Sequence, residues 1–171
     1  MLGQNGRLAR CLQGAARLAQ WDGGGSGSTM GIAGCSAFGS HIGLVASASI
    51  GSDQRVKVQR LVAAVDCGRA VNAGLVAQQV EAGLIWALDQ ASVQSPEWIA
   101  GMPRARPLGG VGLLKLADTP QIIVEVIPSS DQPGGISGLG TTVVAPAVAN
   151  AVYAATGKRM RSLPFDPMGT E

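Results

Sequence analysis

QIIVEVIPSSDQPGGISGLGTTVVAPAVANAVYAATGKR, residues 121–159, changes character twice. Gln121 to Ile127 is short, apolar and rich in β-branched residues, which predicts a strand. Pro128 to Gly140 is a glycine-rich loop. Val143 to Thr156 predicts a helix, with Pro146 in its first turn, Gly157 as its stop, and Lys158 and Arg159 suited to its negative end. A glycine loop between a strand and a helix N-terminus turns backbone N–H groups and the positive end of the helix dipole outward. Such a loop can cradle a phosphate, form the wall of a site, or simply link two elements.

Two phosphate motifs fail here. A Walker loop needs G-x-x-x-x-G-K-S/T, in which lysine reaches the phosphates and the hydroxyl holds magnesium. Gly135-Ile136-Ser137-Gly138-Leu139-Gly140 is followed by Thr141, with no lysine. A dinucleotide fingerprint needs G-x-G-x-x-G inside a βαβ unit, whereas the spacing here is G-x-x-G-x-G and the helix leads to the chain end. The residues alone thus support a site wall without naming its ligand.

Upstream, Asn72 is placed to cap a helix whose apolar positions Leu75, Val76, Val80, Leu84 and Leu88 follow a helical period. Gln79, Glu81 and Gly83 interrupt that apolar surface. Before it, residues 30–66 read as strands. Ile42, Leu44, Ala46 and Ala48 alternate with Gly43, Val45, Ser47 and Ser49, Gly51–Gln54 forms a hairpin turn, and Leu61–Val65 is a buried strand end broken by Cys67-Gly68-Arg69. Residues 94–112 read as an irregular excursion. The N-terminus predicts an amphipathic helix with Leu8, Leu12, Ala15, Ala16 and Ala19 on one face. It carries three arginines but lacks the apolar core of a signal peptide. Cytoplasmic placement is the default expectation, and periplasmic placement follows if preceding sequence carries an export signal. A domain beginning directly on a helix reads as cut from something longer.

Bulk composition narrows the function. Hydrophobic residues make up 46% and charged residues 14%, which argues against disorder. A net charge of +2 and 4% aromatics provide neither the basic footprint nor the stacking platform of a nucleic-acid binder. Glycine, 25 of 171 residues, is about twice its usual share. Excess glycine with low charge suits a segment enclosed by a larger assembly. No run reaches the ~18 apolar residues of a membrane span. Cys11, Cys35 and Cys67 form neither a disulfide framework nor a zinc pattern and read as small apolar residues. His41, the single histidine, leaves little material for a histidine metal site or a Ser-His-Asp triad and reads as an ordinary strand residue.

VAAVDCGRAVNAGLVAQQVEAGLIWAL (62–88), the stretch from Asp118 to Phe165 and GSTMGIAGCSAFGSHIGLVA (27–46) together resemble the molybdopterin-binding large subunit of the molybdenum hydroxylases. Within that group the similarity is to the beta subunit of isoquinoline 1-oxidoreductase and related aldehyde dehydrogenases, and it corresponds to the C-terminal part of the subunit. The resemblance implies an α+β fold like the second molybdenum-binding domain: antiparallel strands packed with two main helices plus an N-terminal helix. It implies a single domain over residues 1–171, with the upstream half of the cofactor site lying before residue 1. It also implies molybdopterin, usually as the cytosine dinucleotide, and electron transfer to a small partner subunit carrying 2Fe–2S clusters. The reaction implied is oxidation of an aldehyde or N-heterocycle with oxygen from water.

Carried over residue by residue, the resemblance places Gln79 at the glutamine that hydrogen-bonds the pterin, although Ala82-Gly83 stands where a glycine pair is usual. Asp66, Arg69 and Asn72 match as turn and cap residues. Gly135, Ile136, Ser137 and Gly138 fall on the cofactor-facing loop, whose family pattern is roughly P-G-G-V-G-E-x-G. Gly138 occupies the glutamate position, so no catalytic residue and no metal ligand is assigned in this chain. Asp131 and Glu125 do not substitute for the missing base. Three functions remain open: one piece of a split molybdenum oxidoreductase, a non-catalytic truncated copy, and a small independent ligand-binding domain.

Overall fold

The computed structural model describes residues 5–92, 98–104 and 113–165. In chain order the elements are α1 (Gly6–Ala19), β1 (Met30–Ala37), β2 (Ser40–Ile50), β3 (Val56–Asp66), α2 (Ala73–Ser92), β4 (Trp98–Ile99), β5 (Met102–Pro103), β6 (Gln121–Val126) and α3 (Val144–Thr156). The long strands form one sheet in the order β1-β2-β3-β6. The expected antiparallel pairing holds for β1 with β2 and β2 with β3, and β6 joins β3 in parallel. The parallel pair requires a crossover, which α2 supplies. In the sequence this crossover is hidden by the long excursion between α2 and β6.

Period-2 alternation assigns the two faces of the sheet. Ile42, Leu44, Ala46, Ala48, Leu61, Ala63 and Val65 are buried on one face, under α2 and α3. Val45, Val62 and Ala64 are buried on the other, under Ala15 and Ala19 of α1. The sheet is therefore the middle layer of three, which explains why Leu61 to Asp66 are buried at every position where a half-exposed strand would alternate. Each fully buried Leu or Val contributes about 1.5–3 kcal/mol relative to exposure.

The small residues set how closely the layers approach. A Cβ at Gly31 of β1 would collide with the α3 backbone at Ala147 O and Ala151 N. Asn150 of α3 meanwhile donates through Nδ2 to Ile32 O at 3.0 Å. Alanine at 147 and 151 together with glycine at 31 lets α3 lie directly on the strand edge. β1 and β2 meet at a two-residue turn in which Phe38 (φ 57°) and Gly39 (φ 77°) both have positive φ, the signature of a type I′ hairpin.

The predicted helices form with adjusted faces. Asn72 caps α2 as expected, its Oδ1 accepting from the Leu75 amide at 3.1 Å. Leu75, expected in the apolar face, is 61% exposed, while Gly83, read as an interruption, is buried. The stripe that packs is Val76, Val80, Gly83, Leu84, Ala87, Leu88, and Gly83 is the part of it that Gly140 of the loop lies against. In α1 the fully buried line is Cys11, Ala15 and Ala19, with Leu8, Leu12 and Ala16 only half-buried. Small side chains face the sheet and the leucines lie to one side. Gly157 ends α3 with φ 75°, its amide donating to Tyr153 O. Of the excursion at 94–112, residues 94–97 and 105–112 lie outside the described residues, and β4 and β5 pair as a short hairpin. No helix among the described residues is long and apolar enough to cross a membrane.

Candidate functional site

The glycine loop crosses the end of the sheet and is held by main-chain bonds to two turns. Arg69 N donates to Asp131 O (2.9 Å) and Gly134 N to Cys67 O (2.8 Å), tying the loop to the turn after β3. Gly135 N donates to Phe38 O at 2.7 Å, tying it to the β1–β2 turn. Leu139 is fully buried and Ile136 packs at the core margin. The loop then closes in a 3-10 turn at Gly140–Thr142, with the Thr141 hydroxyl donating to Gly138 O at 2.7 Å.

This turn abuts α2. A Cβ at Gly140 would lie 2.9 Å from both Leu84 N and Val80 O, so only glycine allows the approach. Gln79 precedes Val80 and is exposed, on the α2 turn against which the loop rests. Gln79 and the Gly135–Gly138 loop, suggested by the sequence as one site, thus stand on adjoining elements. The Phe38 side chain, 66% exposed, completes the rim, with ring atoms 3.6 and 3.9 Å from the position a Cβ would take at Gly138.

The amides of Ile136, Ser137 and Gly138 donate to nothing among the described residues. Three successive free donors suit an anionic or carbonyl-bearing polar group. Because the Ile136 side chain is directed to the core, its contribution to any ligand is restricted to its backbone. Gly138 carries no carboxylate, and no group of three His, Cys, Asp or Glu placed to hold a metal occurs among the described residues.

Beside the loop lies an ion-pair cluster that the sequence did not reveal. Asp66, fully buried at the end of β3, accepts from Arg7 Nη2 at 2.6 Å, Arg7 Nε at 3.1 Å, Arg10 Nη2 at 3.2 Å and the Gly68 amide at 3.0 Å. The Arg7 hydrogen bond, the Gly68 amide and both guanidinium charges outweigh desolvation and hold the Asp66 carboxyl down at about 2. The expected turn role of Asp66 is present in the Gly68 bond, and the pairing with α1 comes in addition. A signal did exist: Arg7 and Arg10 are three residues apart and share a helix face.

His41 lies in β2 with Nδ1 2.7 Å from Ser36 Oγ, its pKa lowered first by burial and then by Arg7. Cys11 is buried, and desolvation followed by the Asp66 charge pushes its thiol up to about 11. Burial likewise raises the pKa of Cys67. Both behave as the small apolar residues expected, while Cys35 is half-buried. A cleft of about 720 Å³ opens at the opposite end of β3, lined by Arg55, Lys57, Leu88, Leu114 and Phe165 among others. It is remote from the loop, because β3 reaches the loop with its other end, at Val65–Cys67.

No family model matches the chain. It is 38% identical over 112 residues to a protein named membrane-bound aldehyde dehydrogenase [pyrroloquinoline-quinone] of Gluconacetobacter polyoxogenes, covering 66% of this chain and 14% of that one. It is 28% identical over 167 residues to the beta subunit of isoquinoline 1-oxidoreductase of Brevundimonas diminuta, covering 94% of this chain and 21% of that one. A nicotinate dehydrogenase subunit of Pseudomonas putida is 31% identical over 122 residues, covering 69% of this chain and 10% of that one. The chain therefore spans about a fifth or less of these relatives.

Among solved structures, quinoline 2-oxidoreductase from Pseudomonas putida 86 superposes with a TM-score of 0.63 at 21% identity, covering 69% of this chain and 16% of that one. The Cu,Mo-CO dehydrogenase superposes with a TM-score of 0.60 at 21% identity, covering the same shares. These likenesses establish the fold. Matched along most of its length by parts of oxidoreductase subunits and folded like a segment of the Cu,Mo-CO dehydrogenase, the chain is similar to part of the large subunit of the molybdenum hydroxylases.

Proposed function

We propose that this chain supplies one wall of a molybdopterin site in a molybdenum-dependent oxidoreductase, completed by the upstream portion of a large subunit. The observation that carries this reading is the glycine loop, fixed to α2 at Gly140 with the Ile136, Ser137 and Gly138 amides left without partners. The donor set fits a pterin or phosphate edge. Gly135, Ile136, Ser137 and Gly138 would present their backbone to it, and Gln79 a side-chain amide that both donates and accepts. When bound, molybdopterin supplies the redox centre. The loop's task is to orient it and, through Phe38, to shield one side from water. An aldehyde or N-heterocycle as substrate belongs to the same proposal and draws its support from the names of the relatives, while the cytosine dinucleotide form and a 2Fe–2S small subunit as electron acceptor follow from the resemblance of the sequence alone.

Gly138 favours a slow reaction. A general base at that position would be worth ~10²–10⁴-fold in rate, and none stands there. A second reading, a non-catalytic copy that keeps the fold, rests on the same residue. Gly138→Glu separates the two. A Cβ at Gly138 meets only the Phe38 ring, at 3.6 Å or more, and the residue is not in the positive-φ region, so the side chain fits. With the upstream portion of a large subunit co-expressed, Gly138→Glu should raise turnover about 10²-fold or more at unchanged molybdenum content. A variant that loads cofactor normally and stays as slow as the parent would remove the base assignment.

A further inference from the structure

We infer that Arg7 is a positioning residue for the glycine loop, one guanidinium joining the end of β3, the start of the loop and the β1–β2 turn. Its Nε lies 3.1 Å from Asp66 Oδ2 and 3.1 Å from Asp131 Oδ2. Its Nη2 lies 2.6 Å from Asp66 Oδ1, and its Nη1 makes a longer 3.5 Å contact with Gly39 O. Gly39 belongs to the turn whose Phe38 covers Gly135 and Gly138. Three segments that border the loop are therefore referred to one side chain on α1.

The residue types suit this task. Arginine has five donors in a rigid planar fork, which a lysine point charge cannot reproduce at several acceptors at once. Asp66 is the fixed end, being fully buried and also held by Arg10 and the Gly68 amide. Asp131 is the movable end, 52% exposed, and it opens the run that leads to Gly134. Without Arg7, Asp66 keeps Arg10, whereas Asp131 keeps the Ser129 hydroxyl at 3.3 Å and loses its ion pair. Arg10 reaches Asp66 but makes no ion pair with Asp131, so it is an internal control. The functional weight of this clamp rests on the reading of the loop as a cofactor wall, whereas its existence does not.

Amide hydrogen exchange on the full chain tests it. The reporters are Gly134 and Gly135, whose N–H groups bond across to Cys67 O and Phe38 O, with Val45 and Val62 in the central strands as references. Asp131→Asn should accelerate exchange at Gly134 and Gly135 about 2- to 5-fold, the range of a partly exposed ion pair, with the references unchanged. Asp131→Glu should restore protection. Arg7→Met should exceed Asp131→Asn at the same two amides, and Arg10→Met should leave them as they are. Unchanged exchange in Asp131→Asn, equal acceleration of the reference amides, or an Arg10→Met effect matching Arg7→Met would each overturn the clamp. If Arg7→Met fails to fold, Asp131→Asn at its exposed position decides alone. Absence of molybdenum from the assembled protein, with the loop still opening in Asp131→Asn, would defeat the cofactor reading and leave the clamp standing.

Discussion

The Asp66 cluster makes stability depend on acid in a calculable way. The folded carboxyl is held at about 2 against an ordinary 3.8, so between those values the unfolded chain binds more protons than the folded one. The stabilisation is fully present above about pH 4 and is lost as pH falls through 3.8 toward 2. A depression of this size corresponds to about 2 kcal/mol at neutral pH, tempered by the partial exposure of Arg7 and Arg10. Asp22, fully exposed, is also held below its ordinary value, by the Gly24 amide and the Ser28 hydroxyl, and adds a change of the same sign. Urea unfolding of wild type and Asp66→Asn between pH 2 and 6 isolates the Asp66 part. Wild type should lose about 2 kcal/mol more than the variant across that interval at unchanged denaturant slope. Asp66→Asn should already be weakened at pH 6, since the buried ion pair is broken there. Parallel stability profiles for the two proteins would refute the assignment of the acid sensitivity to Asp66.

Gly31→Ala should lower stability by about 2–3 kcal/mol, because the added methyl meets α3 backbone rather than a movable side chain. Thermal or urea unfolding checks this, and a neutral outcome would mean that α3 does not lie on β1 as described. Alkylation of the folded chain at pH 8, read by mass spectrometry, should label Cys35 well before Cys11 and Cys67. Both of the latter are buried with raised thiol pKa, Cys11 to about 11. Rapid labelling of Cys11 would contradict the packing of α1 on the sheet.

Local patterns announced most of the elements, since their causes lie within a few residues. The alternation in β2, the Asn72 cap, the Gly51–Gln54 turn and the Gly157 stop are all readable from neighbours. What the sequence concealed depends on distant partners. The parallel β3–β6 pair is separated by α2 and the excursion, and nothing in QIIVEV specifies the direction of pairing. Gly83 reads as a gap in an apolar stripe until Gly140 is seen against it. A strand, a glycine loop and a helix N-terminus in succession suggest a candidate wall from the residues alone, whereas Gln79 joins it only through resemblance, and a free amide leaves no mark in a sequence. The roles of Phe38 and Arg7 depend on partners distant in the chain. One sits in a hairpin turn without the usual Asn-Gly, and the other pairs with an aspartate 59 residues away.

The central claim is that this chain forms part of a molybdopterin site, and its most direct test is elemental. Molybdenum should be measured by mass spectrometry in protein purified under native expression together with whatever co-purifies. Stoichiometric molybdenum is expected in the assembled protein and should be lost when Gly140→Ala pushes the loop off α2. Metal-free protein that assembles with no large-subunit or iron–sulfur partner would contradict the claim.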